Sequence, residues 1–343
     1  MLDEDVYDID SAWSSYVEGD FKNSLKTLTL DNECEKKNDS IPKCTDLYIS
    51  TKTKIGYLSE SINLYDVFWK IEILPYHLHK NGIIKKQMKF NSMDKESHDA
   101  IQKNIFGLKN LDQHIIQQII NPDGRIKFKD IRKITIGLSN KDITSYRSKK
   151  KSAFYNCFVI IIRIKMDDTF KEVHVKVFNT GKLEIPGIRC DRLLVKVTDI
   201  LVETLKSIIN TTTLYYDSGR CETVLINSNF NCGYYINRDK LLDILKYKYN
   251  IDSIFDACQY PGIQCKYNYK ENNNIKYTVS FMIFRTGSVL IVGKCDEFAL
   301  NHIYEFIKNL LIEEYPNIYV KHNNNILIEK NKKKIKKKKK TLN

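Results

Sequence analysis

Val173-His174-Val175-Lys176-Val177-Phe178-Asn179-Thr180-Gly181-Lys182-Leu183-Glu184-Ile185-Pro186-Gly187 has the residue types of a hairpin. β-branched residues alternate with polar ones, Thr180-Gly181 supplies the turn, and a short apolar run returns. The same order recurs at Val279-Ser280-Phe281-Met282-Ile283-Phe284-Arg285-Thr286-Gly287-Ser288-Val289-Leu290-Ile291-Val292-Gly293. The shared Phe, Thr, Gly, Ile and Gly all stand 106 residues apart. A helix is expected after each hairpin, over Asp191 to about Ile209 and over Glu297 to Glu313. Their apolar stripes keep one phase, Leu194 matching Leu300 and Leu205 matching Leu311. A single long period with two copies predicts a duplicated α+β domain, not a solenoid.

Strand alternation assigns the faces. Val173, Val175 and Val177 point toward the following helix, while His174, Lys176 and Phe178 point away. In the second copy Val279, Phe281 and Ile283 face the core, while Ser280, Met282 and Phe284 face outward. One outward Phe is unremarkable. Two at equivalent strand ends, beside polar and cationic groups, point to a binding surface. The glycines alone need no function, because a hairpin turn calls for φ > 0.

Around this unit the chain of 343 residues carries a net charge of +13. Residues 1–39 hold eleven acids and four lysines, a charge of −7, and residues 330–343 hold nine lysines and no acid. The remainder, residues 40–329, is still +11. A basic body points to a polyanionic partner, and the lysine tail to nonspecific nucleic-acid affinity. Nine cysteines without a C-x-x-C pair, and a start without a leader pattern, read as thiols in an intracellular, reducing compartment. The apolar runs are too short for a membrane span.

Outside the hairpins, residues 1–40 read as acidic and disordered or weakly helical. A β-like run begins at Leu47-Tyr48-Ile49, and a helical pattern from Ile62 to Ile71 stops before Pro75. Residues 76–150 suggest a helix from Asp94 to Ile105, a second from Leu111 to Ile120, and a turn at Asn121-Pro122-Asp123-Gly124. Cys157 to Ile164 reads as a strand. His77-Leu78-His79 lacks further ligands at metal spacing and reads as a polar turn. Cys258 and Cys265 read as buried thiols. Neither a P-loop nor a nucleophile elbow nor H-E-x-x-H occurs, so no catalytic constellation and no cofactor is expected.

Phe178-Asn179-Thr180-Gly181-Lys182 with Gly187, and Phe284-Arg285-Thr286-Gly287 with Gly293-Lys294, resemble the two signature hairpins of the TATA-box-binding protein family. Tyr260-Pro261-Gly262-Ile263-Gln264-Cys265-Lys266 and Phe158-Val159-Ile160-Ile161-Ile162-Arg163-Ile164 resemble that family's neighbouring strands. The resemblance covers roughly residues 45–75 and 150–320, and is greatest to the divergent members of large DNA viruses. It implies a saddle: a pseudo-twofold, curved antiparallel sheet on the DNA minor groove, with helices on the convex face. It places an acidic tail at 1–40, a first repeat at 41–212 carrying an insertion at about 76–150, a second repeat at 213–320, and a lysine-rich tail at 321–343.

The family drives aromatic wedges into base steps of a bent site. Phe178 and Phe284 match two wedges, and Tyr260 stands at a third. Cys157 stands at the fourth, with Phe158 beside it on the opposite face and counted among the wedge candidates. Arg163 and Lys266 match phosphate-contacting arginines. Lys182, Arg189 and Lys294 match or neighbour the family's hairpin lysines, and Lys176 and Asn227 lie close to the same surface. The family's base-contacting threonines are here Pro186 and Val292, and its asparagines fall near Leu47 and Leu225, with Asn227 and Asn229 out of register.

The implied function is transcription initiation by a monomeric pseudo-dimer, without enzymatic activity, bending AT-rich double-stranded DNA. The implied partners are a factor IIB-like protein and the RNA polymerase machinery, in a nucleus, a viral factory or a virion. The alternative is a protein-interaction module with reduced or nonspecific DNA binding, which Glu184 and the missing threonines favour. A nucleic-acid enzyme using the fold as an appendage is a third reading, with only residues 76–150 to house its chemistry.

Overall fold

The computed structural model describes residues 41–144, 156–270 and 276–321. The expectations for the acidic segment and the lysine tail lie outside the described residues. The chain divides into a larger unit, Ile49–Ile226 with Gly293–Asp296, and a smaller one. The smaller unit takes the chain up to Tyr48, Asn227–Val292, and the chain from Glu297.

In the larger unit, β1 (Tyr48–Leu58) leads to α1 (Leu64–Lys70), β2 (Gly82–Ser92) and α2 (Lys95–Ile105). There follow β3 (Leu111–Ile120), β4 (Phe128–Gly137), α3 (Asn140–Thr144), β5 (Cys157–Met166), β6 (Thr169–Phe178), β7 (Lys182–Ile188) and α4 (Asp191–Ile209). The strand order is β3-β4-β2-β5-β6-β7-β1, then the first part of β8 (Tyr216–Asn231). Neighbours from β3 to β1 pair antiparallel.

One face of this sheet carries the core. Phe158, Ile160, Ile162 and Ile164 of β5 join Val173, Val175 and Val177 of β6 and Leu183 and Ile185 of β7. Leu194, Val197, Leu201 and Leu205 of α4 pack with them, as do Val67 and Phe68 of α1 and Ile101 and Ile105 of α2. Each such side chain contributes about 1.5–3 kcal/mol through burial. Helices α1, α2 and α4 thus cover one sheet face, while on the other the short α3 is tied down by Asp142 to Lys85 and by the Asn140 N–H to Glu172.

The smaller unit repeats the plan with the end of β8, α5 (Arg238–Asp243), a π-helical turn (Ile244–Lys248), β9 (Asp252–Ile254) and β10 (Gly262–Lys270). It closes with β11 (Lys276–Phe284), β12 (Ser288–Gly293), α6 (Glu297–Glu313) and α7 (Tyr315–Ile318). The strand order β10-β11-β12-β8 here answers β5-β6-β7-β1 in the larger unit. The expected hairpins and both long helices are present, and the buried valines of β6 and Val279, Phe281 and Ile283 of β11 lie on the expected side.

Two spacings relate the units. β7 and β12 begin 106 residues apart, as do α4 and α6. Earlier elements are 174 apart: α1 begins at Leu64 and α5 at Arg238. Each of these helices is capped by an asparagine, Asn63 accepting from the Asp66 N–H and Asn237 from the Lys240 N–H. The turn glycines obey both spacings. Leu58 N–H donates to the Gly181 carbonyl at 2.8 Å, and Cys232 N–H to that of Gly287 at 2.9 Å. Gly181 has φ +81° and Gly287 φ +83°, and a Cβ there would meet the Glu60 or Tyr234 carbonyl oxygen at 2.5 or 2.4 Å. Both positions thus exclude every side chain.

The two spacings differ by 68 residues, the net excess of the first repeat between α1 and β7 over its counterpart. The inserted strands continue the repeat's own sheet: Lys86 pairs with Ile160 and Met88 with Phe158. Met88, Phe90, Ile134 and Ile136 enter the common core. The buried Lys86 ammonium donates to the carbonyls of Phe68 and Ile71, each at 2.7 Å, at the end of α1. Burial lowers its pKa to about 8.

Two expectations need correction. Leu111–Ile120 is a strand, not a helix: β3 pairs with β4 along its length, and the Asn121–Gly124 turn joins them. Its isoleucines suit a pleated edge, and pairing outweighs the local pattern. Cys258 is exposed, whereas Cys265 is buried and its thiol is pushed up to about 12.

Candidate nucleic-acid interface

Directly paired residues on antiparallel strands share a face, so the registers define the surface opposite the helices. In the larger unit Phe178 lies opposite Cys157, and Lys176 lies between Val159 and Glu184. Phe178 is half-buried at the end of its strand, with the Lys182 ammonium 5.6 Å from its ring centroid. Lys176 Nζ stands 2.7 Å from Glu184 Oε1, so the acid on this face is neutralised by its strand neighbour. Both side chains stay partly exposed, which limits the pair to about 1 kcal/mol at most. Arg189 follows β7 and is exposed.

Two expected contacts are not on this surface. Phe158 is 0 % exposed and packs 6.5 Å from the Phe68 ring, in the core. Strand parity dictates this, because its neighbour Cys157 is the residue that shares a face with Phe178. Arg163 is 3 % exposed. Its guanidinium donates to the carbonyls of Tyr76 at 2.7 Å, of Lys80 at 3.3 Å and of Leu78. It also lies over the rings of Tyr76 and Phe170. Arg163 therefore anchors the chain leading into β2, and every side of its charge is occupied.

The smaller unit presents the second half of the candidate set. Phe284 pairs with Gly262, Met282 with Gln264 and Ser280 with the exposed Lys266. The Tyr260 and Phe284 rings lie 6.0 Å apart. A Cβ on Gly262 would stand 2.9 Å from Phe284 Cε1 and 3.2 Å from Tyr260 Cε1. Glycine at this position lets the two rings close over the strand. Val292, in place of a base-contacting threonine, is buried, as are Met282 and Leu290. Lys294 is exposed.

Asn227 is half-buried on β8, and Asn229 and Asn231 follow it on the same face. Asn231 reaches Ser288 across the strands at 3.3 Å. The amide nitrogen of Asn229 is buried and has no hydrogen-bond partner among the described residues. The sequence places Asn229 beside Asn227, out of register, and counts only Asn227 among the candidates, although the period-two run of asparagines marks both. The β10–β11 register also sets the repeat spacing on this strand at 105, so Cys157 corresponds to Gly262 and the counterpart of Tyr260 is Tyr155. Tyr155 lies outside the described residues.

No protein-family model matches the chain. A curated protein of Acanthamoeba polyphaga mimivirus described as "TATA-box-binding protein-like" is 29% identical over 211 residues, 53% of this chain and 55% of that protein. The chain is thus similar, over about half its length, to a viral protein of that description. It spans about half the length of that curated relative. Among solved structures, Methanococcus jannaschii TBP aligns at 13% identity with a TM-score of 0.40, over 79% of this chain and 99% of that one. Among the described residues, no helix is long and apolar enough to cross a membrane. Among the same residues, no cluster of His, Cys, Asp or Glu could hold a metal ion.

Proposed function

We propose that this chain is a DNA-binding transcription-initiation factor that bends AT-rich duplex through the minor groove. The observation that carries the reading is the equivalence of Phe178 and Phe284. Each is half-buried, each closes the strand before a positive-φ glycine turn, and each lies opposite the helix layer of its own unit. A ring used as a wedge must be held rigidly, because unstacking a base step costs a few kcal/mol. Tyr260 adds a ring beside Phe284. Lys182, Arg189, Lys266 and Lys294 supply phosphate contacts, and Lys176 keeps Glu184 from repelling them. Asn227 and Asn229 offer amides to base edges. Minor-groove edges distinguish mainly A·T from G·C. With Pro186 and Val292 at the threonine positions, selectivity rests on deformability more than on hydrogen-bonded readout. Recruitment of a factor IIB-like protein and polymerase completes the proposed role.

The test is a gel-shift and a fluorescence bending assay on AT-rich duplexes with the Phe178→Ala, Phe284→Ala double variant. Bending is expected to disappear, and binding to weaken at least about tenfold, which is about 1.4 kcal/mol. Wild-type bending and affinity in the double variant would sink the reading.

A further inference from the structure

We propose that β3 is a dimerisation edge: it pairs antiparallel with β3 of a second copy of this chain, across a twofold axis that passes between Ile115 and Ile116.

β3 ends the sheet of the larger unit. It pairs with β4, and among the described residues no strand lies beyond it. Along its ten residues, about 34 Å, every second N–H and C=O therefore turns outward. Such an edge is a template for another strand, and natural edges are kept short or guarded by Lys or Pro. β3 is long and holds no Lys, Arg or Pro, although residues 40–329 carry a net charge of +11. Ile115, Ile116 and Ile120 are 49 %, 42 % and 68 % exposed.

A bulge and the order of the residues select the occupant. The register with β4 shifts between Ile115 and Gln117, so Ile116 is an extra residue in β3. Gln113 accepts from Arg132 at 2.9 Å, and Gln118 donates to Asp130 at 3.2 Å. Arg132 and Asp130 share a face of β4, so both glutamines stand on that face although their spacing is odd. Regular alternation would put them on opposite faces. A regular partner leaves the extra residue unmatched, as β4 does. A second β3 carries the same extra residue and matches it.

The strand also reads nearly alike from its two ends, Leu111-Asp112-Gln113-His114-Ile115 forward and Ile120-Ile119-Gln118-Gln117-Ile116 backward. Antiparallel self-pairing about the bulge sets Leu111 opposite Ile120, Gln113 opposite Gln118, His114 opposite Gln117 and Ile115 opposite Ile116. Asp112 meets Ile119, so no like charges face each other. Apolar residues meet apolar ones, and the faces agree on both sides of the axis. The contact is isologous and closes on itself. An unrelated peptide would have to bring both the bulge and this pattern, whereas a second copy has both by symmetry. A pair of copies takes the place of the monomer that the family resemblance implies, and no part of this depends on DNA binding.

The full chain is followed by sedimentation equilibrium without nucleic acid over a range of concentrations, beside the Ile116→Lys and Ile120→Lys variants. The wild type should approach twice its mass of 40.3 kDa as concentration rises. Ile116→Lys brings an ammonium group of each copy to the axis and should weaken the dimer at least about tenfold, about 1.4 kcal/mol. Ile120→Lys, at the end of the strand, should weaken it as well. Both side chains are exposed, so urea midpoints should stay at the wild-type value, which separates a lost contact from a lost fold. Should Ile116→Lys lower the midpoint, Ile120→Lys still reads the edge. A wild-type chain of single mass at every concentration would overturn the proposal. So would a dimer that both variants leave at wild-type strength, because another surface would then hold it.

Discussion

Arg163 shows how far a residue type can be read without its surroundings. Its position beside Cys157, Val159 and Ile161 on β5 gives it the parity of the binding face, and its charge suits a phosphate. The chain between Pro75 and Asn81 nevertheless lies against it and presents three carbonyls. A guanidinium has five donors in a fixed fork, which satisfies several acceptors at once. Replacing it by Gln removes the charge and most of the donors, leaving part-buried carbonyls unpaired. Arg163→Gln is expected to lower stability by about 2–4 kcal/mol, read as a lower urea midpoint. The salt slope of DNA binding should remain at its wild-type value. A reduced slope with unchanged stability would return Arg163 to the phosphate contacts. Phe158 carries the same lesson. Alternation along the strand already placed it opposite Cys157, and its burial follows from that parity.

At the level of elements, legibility followed local chemistry. The strands ending at Phe178 and Phe284, their glycine turns, and α4 and α6 could be read almost to the residue. Each has a strong period and a punctuating residue at its end. β3 could not be so read. Leu-Asp-Gln-His-Ile-Ile-Gln-Gln-Ile-Ile fits neither period cleanly, and only pairing with β4 makes it a strand. The asparagine caps were legible in principle, because Asn63 and Asn237 each precede an apolar-periodic run. Each side chain accepts an N–H that the first helical turn leaves unpaired. Asn63→Ala and Asn237→Ala are each expected to cost about 1 kcal/mol. Thermal denaturation of each single variant checks this. Losses below about 0.3 kcal/mol would show that tertiary packing, not the cap, fixes these short helices.

For the molecule as a whole, the sequence showed a duplication but not what the insertion had become. The spacing of 106 was visible because both hairpins kept Phe, Thr and Gly. The spacing of 174 was hidden, because β1 and β8 share few identities, and their equivalence rests on caps and turn contacts. The insertion is therefore part of the first repeat's own sheet rather than an appendage. Met88 and Phe90 from β2 and Ile134 from β4 sit in one cluster with Phe68 of α1 and Phe158 of β5. Phe68, Phe158 and Ile134 are 0 % exposed and Met88 and Phe90 are nearly so. Removing the inserted strands uncovers that cluster and strands the Lys86 partners at the end of α1. Exposing each large side chain costs about 1.5–3 kcal/mol, and a handful exceed the 5–15 kcal/mol that holds a typical domain. A chain with residues 82–155 replaced by a short Gly-Ser linker is thus expected to lose near-UV circular dichroism and to bind a hydrophobic dye. A soluble variant that unfolds cooperatively at the wild-type midpoint would show instead that the two-repeat core stands without the insertion.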